Sequence, residues 1–225
     1  MPPAPAAENR FAARLRGFGP VGLIAIAIIL AADFVHVPLS AVLVLVWRWL
    51  SKTPWRELGY VRPNSWFRDA AIGVIFGIAL KLLMKVIVMP ALGTPPTNQA
   101  YQFLIGNTTA ALGMVVAVIV IAGFGEETFF RGYMFERLGK LLGSSVAAKV
   151  TIVIVTSALF AIPHYPDQGL PGVEQAAMTG LAFGSVYAVT GRLFMPMVAH
   201  TFFDLTAIAI IYWNLEAKFA RLIFN

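Results

Sequence analysis

Six side chains in this sequence have the types and spacing to do chemistry: Glu126, Glu127, Arg131, His164, His200 and Asp204. Carboxylates and imidazoles are the groups of acid–base work and of metal ligation. Glu126 and Glu127 stand side by side near the end of an apolar run, in Gly-Phe-Gly-Glu-Glu-Thr-Phe-Phe-Arg-Gly from 123 to 132. Neighbours on a helix diverge by about 100°, so the two carboxylates face different ways and have different tasks. Arg131 follows Glu127 by four residues, the favourable order for an acid-to-base pair on one face. The pattern predicts that Glu127 and Arg131 hold each other while Glu126 points into a cavity. His200 and Asp204 also sit four apart, which lets the carboxylate orient the imidazole or ligate beside it. His164 ends an apolar stretch, Phe160-Ala-Ile-Pro-His-Tyr-Pro. Singly, each signal also suits a structural ion pair or an interfacial histidine. Together, on three apolar segments of a chain whose remaining histidine is His36, they favour one shared site.

The segments that must position these groups are those of a membrane protein. Of 225 residues, 59% are hydrophobic and 12% charged, with mean hydropathy +0.77. That is too apolar for a soluble domain with a polar surface. Ionisable side chains at bilayer depth cost roughly 2.5 kcal/mol or more each, so a chain that keeps several is using them. Cysteine is absent, which removes disulfides, thiolate ligands and a cysteine nucleophile, and leaves any metal to His, Asp or Glu. The net charge of +6 comes from Lys and Arg in short interhelical stretches, not from one basic face. Membrane lipid headgroups, not nucleic acid, are the partner this implies. Arg10, Arg14 and Arg16 before an apolar run resemble a signal peptide. The small-residue cleavage pattern is not evident and further spans follow, so the run reads as a retained first helix.

Pro, Gly and charge clusters divide the chain into a basic N-terminal segment (1–18), a single transmembrane helical domain (19–215) and a short polar tail (216–225). The expected fold is all-α, a polytopic bundle of six or seven spans around a membrane-embedded polar cavity. Residues 19–48 form an apolar run broken by Asp33, His36 and Pro38, with basic residues on both flanks. The positive-inside tendency favours a hairpin turning there over one long helix. A helix is expected over about 69–89, stopped by Pro90, with Lys81 and Lys85 on one face that snorkel or pair with an acid of the bundle. The uncharged stretch 90–108 reads as a loop or re-entrant segment. Apolar helices follow at about 109–123, 145–163, 173–190 and 193–214, with an amphipathic one at 126–142.

The elements Glu126-Glu127-x-x-x-Arg131, Phe160-x-x-x-His164 and His200-x-x-x-Asp204, in that order on successive helices, resemble the three motifs of the CPBP (Abi) family. This is the family of type II CAAX prenyl endopeptidases and bacteriocin-processing enzymes. Leu58-Gly59-Tyr60 is similar to a weaker landmark of the family. The motif-bearing resemblance covers roughly 105–215. It implies an integral, multi-pass protein of a bacterial-type plasma membrane that acts as an intramembrane endopeptidase on a peptide or protein substrate, with or without a lipid. It implies that Glu126 and His164 activate the attacking water, that His200 and Asp204 bind the oxyanion or help to hold a metal, and that Glu127 and Arg131 support the site. It further implies a cavity open to the cytoplasm. A carboxylate partly withdrawn from water is the better base near neutral pH, and an imidazole donor stabilises a tetrahedral oxyanion.

Metal use stays open in the sequence. Glu126, His164 and His200 would suit zinc with an open position for water, but the His-Glu-x-x-His arrangement is absent. An ionised Asp204 cannot donate to an oxyanion, so it orients His200, stays protonated or approaches a cation. Straight spans would place His164 and His200 at different depths, so tilt or an inward-reaching aqueous cavity must bring them together. Phe129, Phe130, Tyr133 and Phe203 read first as plain packing, the commoner role of rings at helical spacing, with the lining of an apolar substrate groove as the alternative. Oligomeric state is not legible. The rival readings are an ion- or proton-coupled transporter, which predicts two similar halves that are not seen, and a catalytically silent immunity or scaffold protein.

Overall fold

The structure is a computed structural model and describes residues 7–35 and 37–223; His36 lies outside the described residues. All regular elements among them are helical. Helices α1 (Ala7–Arg16), α2 (Pro20–Val35) and α3 (Val37–Ser51) come first. α2 and α3 fold back on each other, because the Trp47 indole N–H near the end of α3 donates to the Leu15 carbonyl of α1 at 3.2 Å. The expected hairpin is therefore present. Beside its turn, buried Asp33 accepts a hydrogen bond from Ser40 Oγ at 2.9 Å.

The main bundle is α4 (Trp66–Ala91), α5 (Thr108–Leu142), α6 (Val146–Ala161), α7 (Tyr165–Thr190) and α8 (Phe194–Tyr212), with a short α9 (Glu216–Ala220). Ser65, Asn107 and Ser145 cap α4, α5 and α6, each side chain accepting from a backbone N–H in the first turn. Gly123 and Gly125 do not break α5. The helix continues through them with a π-helical pattern over Val118–Met134, a geometry concentrated at functional sites.

Four continuous helical stretches are long and apolar enough to cross a membrane: Trp66–Ala91, Thr108–Leu142, Val146–Thr190 and Phe194–Tyr212. The bent pair Arg10–Arg16 and Pro20–Asp33 makes up to five. The expected six or seven is not what length and hydropathy give. Val146–Thr190 nevertheless doubles back: Gly169 is non-helical at φ 61°, Gly180 lies on Ser157, and Gly184 lies on Val153. α6 and α7 are thus antiparallel.

Glycine fixes how closely the other helices approach. A Cβ at Gly77 would strike the Ala199 carbonyl, and Gly73 lies against Met195 and Val198, so α4 runs parallel to α8 with the two backbones nearly touching. Gly123 lies against Thr201 and Met197, while Gly132 faces Leu193, so α5 runs antiparallel to α8. The bundle therefore has two distinct ends. One gathers α1, the basic connector 48–68, the end of α5 and the start of α8, and it is tied by Lys140–Glu57 at 3.0 Å and Arg137 to the Arg16 carbonyl at 2.9 Å. The other gathers the 92–107 connector, the α6–α7 turn and α9; outside its helices and in α9, its cations among the described residues are Lys218 and Arg221.

Candidate active site

Glu127 is fully buried, and its Oε1 accepts from Arg131 Nη1 at 2.9 Å and from His200 Nδ1 at 2.8 Å. One carboxylate oxygen thereby joins the first motif to the third. Arg131 also donates to the Gly180 carbonyl at 3.3 Å, and its guanidinium lies 4.9 Å from the Phe160 ring centre. The i, i+4 pairing read from the sequence is present. It has an added consequence: Glu127, not Asp204, sets the orientation of the His200 ring. Because a carboxylate accepts, Nδ1 carries the proton and Nε2 faces the cavity.

Around Nε2 stand Glu126 Oε2 and Asp204 Oδ2, each at 3.6 Å, on partly exposed side chains. Glu126 thus points into the cavity while Glu127 is turned away, the divergence expected of adjacent helical residues. Asp204 does not orient His200 through a hydrogen bond; it lies beside the free nitrogen, with Lys81 among its charged neighbours.

His164 enters less directly. Its Nδ1 donates to the Phe160 carbonyl at 2.9 Å, which leaves Nε2 as the free nitrogen, and it makes no hydrogen bond to the other motif residues. It lines the same cavity as Glu126, His200 and Asp204. The Phe160 ring packs against both imidazoles, its centre 5.1 Å from that of His164 and 5.7 Å from that of His200. Phe160 thus touches both histidines and faces Arg131. Its position four residues before His164, on the same helix face, was the signal for this role.

The cavity has a volume of about 580 Å³, in the range of small-molecule and peptide sites. Thr94, Asn98, Tyr101, Gln168 and Glu216 place its mouth at the end of the bundle away from the basic connector. This resolves the depth problem, since the cavity runs inward from the end where His164 lies to Glu126 and His200. Plain packing, the first reading of the four aromatic rings, holds for three of them. Phe129, Phe130 and Tyr133 are packed in the core with Leu15, Val44 and Trp47, and only Phe203 of the four lines the cavity. Those three rings lie on the face of α5 that meets α1–α3, and the apolar cavity wall comes instead from residues such as Met89, Leu104, Met114, Val118 and Ile211.

The mouth is fastened by Glu216. Its carboxylate accepts from Lys85 Nζ at 2.9 Å, from Gln102 Nε2 at 2.7 Å and from the Asn98 backbone N–H at 3.2 Å. The segment expected to be a polar tail therefore begins with a buried, fully used acid. At the mouth, burial first, then Asp204, Asp167 and Glu126, push the Tyr101 hydroxyl above its ordinary pKa, so it stays neutral.

A second set of contacts braces the site from behind. The 3₁₀ turn Trp55–Leu58 ends on Gly59 at φ 78°, where a Cβ would meet the Tyr187 ring at 2.5 Å. The Gly59 carbonyl accepts from the Leu193 N–H at 2.9 Å. Thr128 Oγ1 donates to the Phe124 carbonyl, so Tyr60 donates to Thr128, at 2.6 Å. Burial raises the Tyr60 pKa and the Thr128 bond opposes it. The Leu58-Gly59-Tyr60 turn thus grips α5 one residue from Glu127 and α8 seven before His200.

Among the described residues no group of three His, Asp or Glu side chains is arranged to hold one metal ion. Glu126, His164 and His200 do not form such a set. No chemical step is assigned to a metal on this geometry.

Fold and site together define a multi-pass helical membrane protein with carboxylates and imidazoles converging on a buried cavity. Residues 108–206 match the family described as Rce1-like, type II CAAX prenyl endopeptidase Rce1-like. The matched segment carries all three motifs. The chain is also similar to the uncharacterized protein YyaK of Bacillus subtilis (strain 168), 23% identical over 158 residues. That match covers 68% of this chain and 51% of YyaK, so the chain spans about half the length of that relative. No solved structure matches the chain.

Proposed function

We propose that this protein is an intramembrane endopeptidase that hydrolyses a peptide bond with a water activated by Glu126 and His164. The observation that carries the reading is the grouping at His200 Nε2, with Glu126 3.6 Å away and the ring held by Glu127. In this reading a water between Glu126 and His164 Nε2 loses a proton to Glu126 as its oxygen attacks the substrate carbonyl. The tetrahedral oxyanion is met by His200, which donates from Nε2 when doubly protonated. The carbon–nitrogen bond then breaks, and Glu126 returns the proton to the departing amine. Glu127 and Arg131 keep the imidazole aimed, and Asp204 balances its charge. The donor arrangement supports a mechanism without metal.

The substrate is a peptide or protein segment with or without a lipid, taken up by a cavity whose walls are mostly apolar. The test is cleavage of lipidated and unlipidated peptide libraries by the purified chain and by its Glu126→Ala and His164→Ala variants. Loss of cleavage in both supports the assignment; retained cleavage in Glu126→Ala removes the base. Elemental analysis and exhaustive chelation, with activity unchanged, support the metal-free mechanism. Activity lost to chelation and restored by zinc overturns it.

A further inference from the structure

The connector between α4 and α5 lies over the mouth of the cavity and is built unlike the helices on either side. On the α4 side it is fixed as far as Thr94, whose N–H and Oγ1 both donate to the Met89 carbonyl, at 3.1 and 2.8 Å. On the α5 side it is fixed from Leu104, which is 1% exposed and packs with Val118, Ala122, Ile208 and Ile211, and the Gly106 N–H donates to the Tyr212 carbonyl at 3.0 Å. Residues 95–103 run between these anchors as an extended stretch and most of one short 3₁₀ turn, Gln99–Leu104, capped by the Asn98 side chain. None of them is buried, and none of 95–100 joins the hydrophobic core, although Asn98, Gln99 and Ala100 face the cavity. A segment with so few buried apolar contacts belongs to the least stable part of a fold.

What holds the stretch down is polar and converges on one acid. Glu216 of α9 accepts from the Asn98 N–H at 3.2 Å and from Gln102 Nε2 at 2.7 Å, and so grips the segment at two points. The same carboxylate accepts from Lys85 Nζ, which also donates to the Pro96 carbonyl at 2.7 Å. Of the two lysines on this face of α4, Lys81 donates to the neutral Gln175 Oε1 at 3.0 Å, and Lys85 is the one tied to the segment. Across the mouth, Asn98 Nδ2 donates to Gln168 Oε1 at 3.1 Å and joins the segment to the start of α7. Hydrogen bonds to a charged group are the stronger ones, so Glu216 outweighs the neutral Asn98–Gln168 contact.

We propose that residues 95–103 are a flap over the cavity mouth, latched by Glu216, and that a bulky molecule reaches the cavity only when this latch lets go. The described conformation is the latched one. Release breaks the bonds to Asn98 and Gln102 but leaves the Thr94 and Leu104 anchors, so the segment swings while α4, α5 and α8 stay packed. The flap governs access and stands apart from the peptidase reading, because it needs the cavity but no reaction in it.

The test uses the full chain in lipid nanodiscs. The chain has no cysteine, so Ala117→Cys places one thiol on the cavity wall, nine residues or about 14 Å along α5 from its first residue. Its reaction rates with a small methanethiosulfonate and with a fluorescein-sized maleimide are compared with and without Glu216→Gln. The expected result is a rise of about tenfold or more in the maleimide rate, with the rate of the small reagent little changed. Hydrogen exchange is read at the Tyr101 N–H, which bonds the Asn98 carbonyl and not Glu216. It quickens in the variant while the amides of α4 and α8 do not. An unchanged maleimide rate, or faster exchange confined to the Asn98 N–H that loses its own acceptor, overturns the flap. If α4 and α8 also exchange faster, the variant has loosened the bundle, and Gln102→Ala, which keeps the Lys85–Glu216 pair, is scored in its place. A rise of about threefold in its maleimide rate supports the flap, and no rise overturns it. Neither readout needs turnover, so a chain that cuts no peptide would remove the peptidase reading and leave the flap standing.

Discussion

Replacing Glu127 separates the structural role of the buried ion pair from its role at the site. Glu127→Leu leaves the Arg131 guanidinium buried with the Gly180 carbonyl and the Phe160 ring as its company, and leaves His200 Nδ1 without its acceptor. Breaking a buried pair from one side costs roughly 3–5 kcal/mol, because the remaining charge is uncompensated. Replacing both partners by apolar residues of similar size is often neutral or stabilising. The double variant Glu127→Leu, Arg131→Met is therefore expected to unfold within about 1 kcal/mol of the unaltered chain, while the single variant loses most of the 3–5 kcal/mol. Peptide cleavage behaves differently. Both variants lose at least about a hundredfold in kcat/KM, since neither holds His200 in register. Stability is read by reversible unfolding in mixed detergent micelles, followed by Trp fluorescence and circular dichroism. Activity is read on the peptide identified by the library screen. Recovery of activity along with stability in the double variant would refute the reasoning, because Glu127 would then serve packing alone.

Three further outcomes are expected. Glu126→Gln, at a partly exposed position facing the cavity, lowers kcat/KM by about 10²–10⁴-fold while the unfolding midpoint hardly moves, which kinetics and the same unfolding assay check together. Gly77→Ala forces a Cβ onto the Ala199 carbonyl and displaces α8 beside His200; a loss of about 1–3 kcal/mol is expected, with cleavage falling further than stability explains. By the positive-inside tendency the basic residues of α1, the 48–68 connector, Arg137, Lys140 and Lys149 predict a cytoplasmic location for that end of the bundle, and hence a cavity mouth on the opposite face, the reverse of the cytoplasmic opening that the family resemblance implies. As the chain has no cysteine, Gln99→Cys at the mouth is expected to react with an impermeant maleimide in intact cells, and Arg62→Cys only after permeabilisation; the reverse pattern would restore a cytoplasmic opening.

Composition alone decided the environment, because a chain with 59% hydrophobic and 12% charged residues has too little polar surface for water on every side. Local spacing decided what lies on one helix face: Glu127 with Arg131, His200 beside Asp204, and Glu126 turned away from Glu127. The hairpin at Asp33 to Pro38 was also legible, from the breakers and the flanking charge. Relations between helices were not. Which carboxylate holds His200 depends on the approach of α5 to α8 at Gly123, and the i, i+4 rule pointed to Asp204 because it sees one helix at a time. Phe129, Phe130 and Tyr133 carry the same helical spacing whether they face a groove or a core, and only the position of α1–α3 made them core. The folding-back at Gly169, the fastening of Glu216 across the mouth and the neutral surroundings of Lys81 likewise arise from residues 94 to 131 positions apart, or from a single backbone angle. Side-chain chemistry is written locally, but a site is a set of distances between elements, and those distances exist only once the helices have packed.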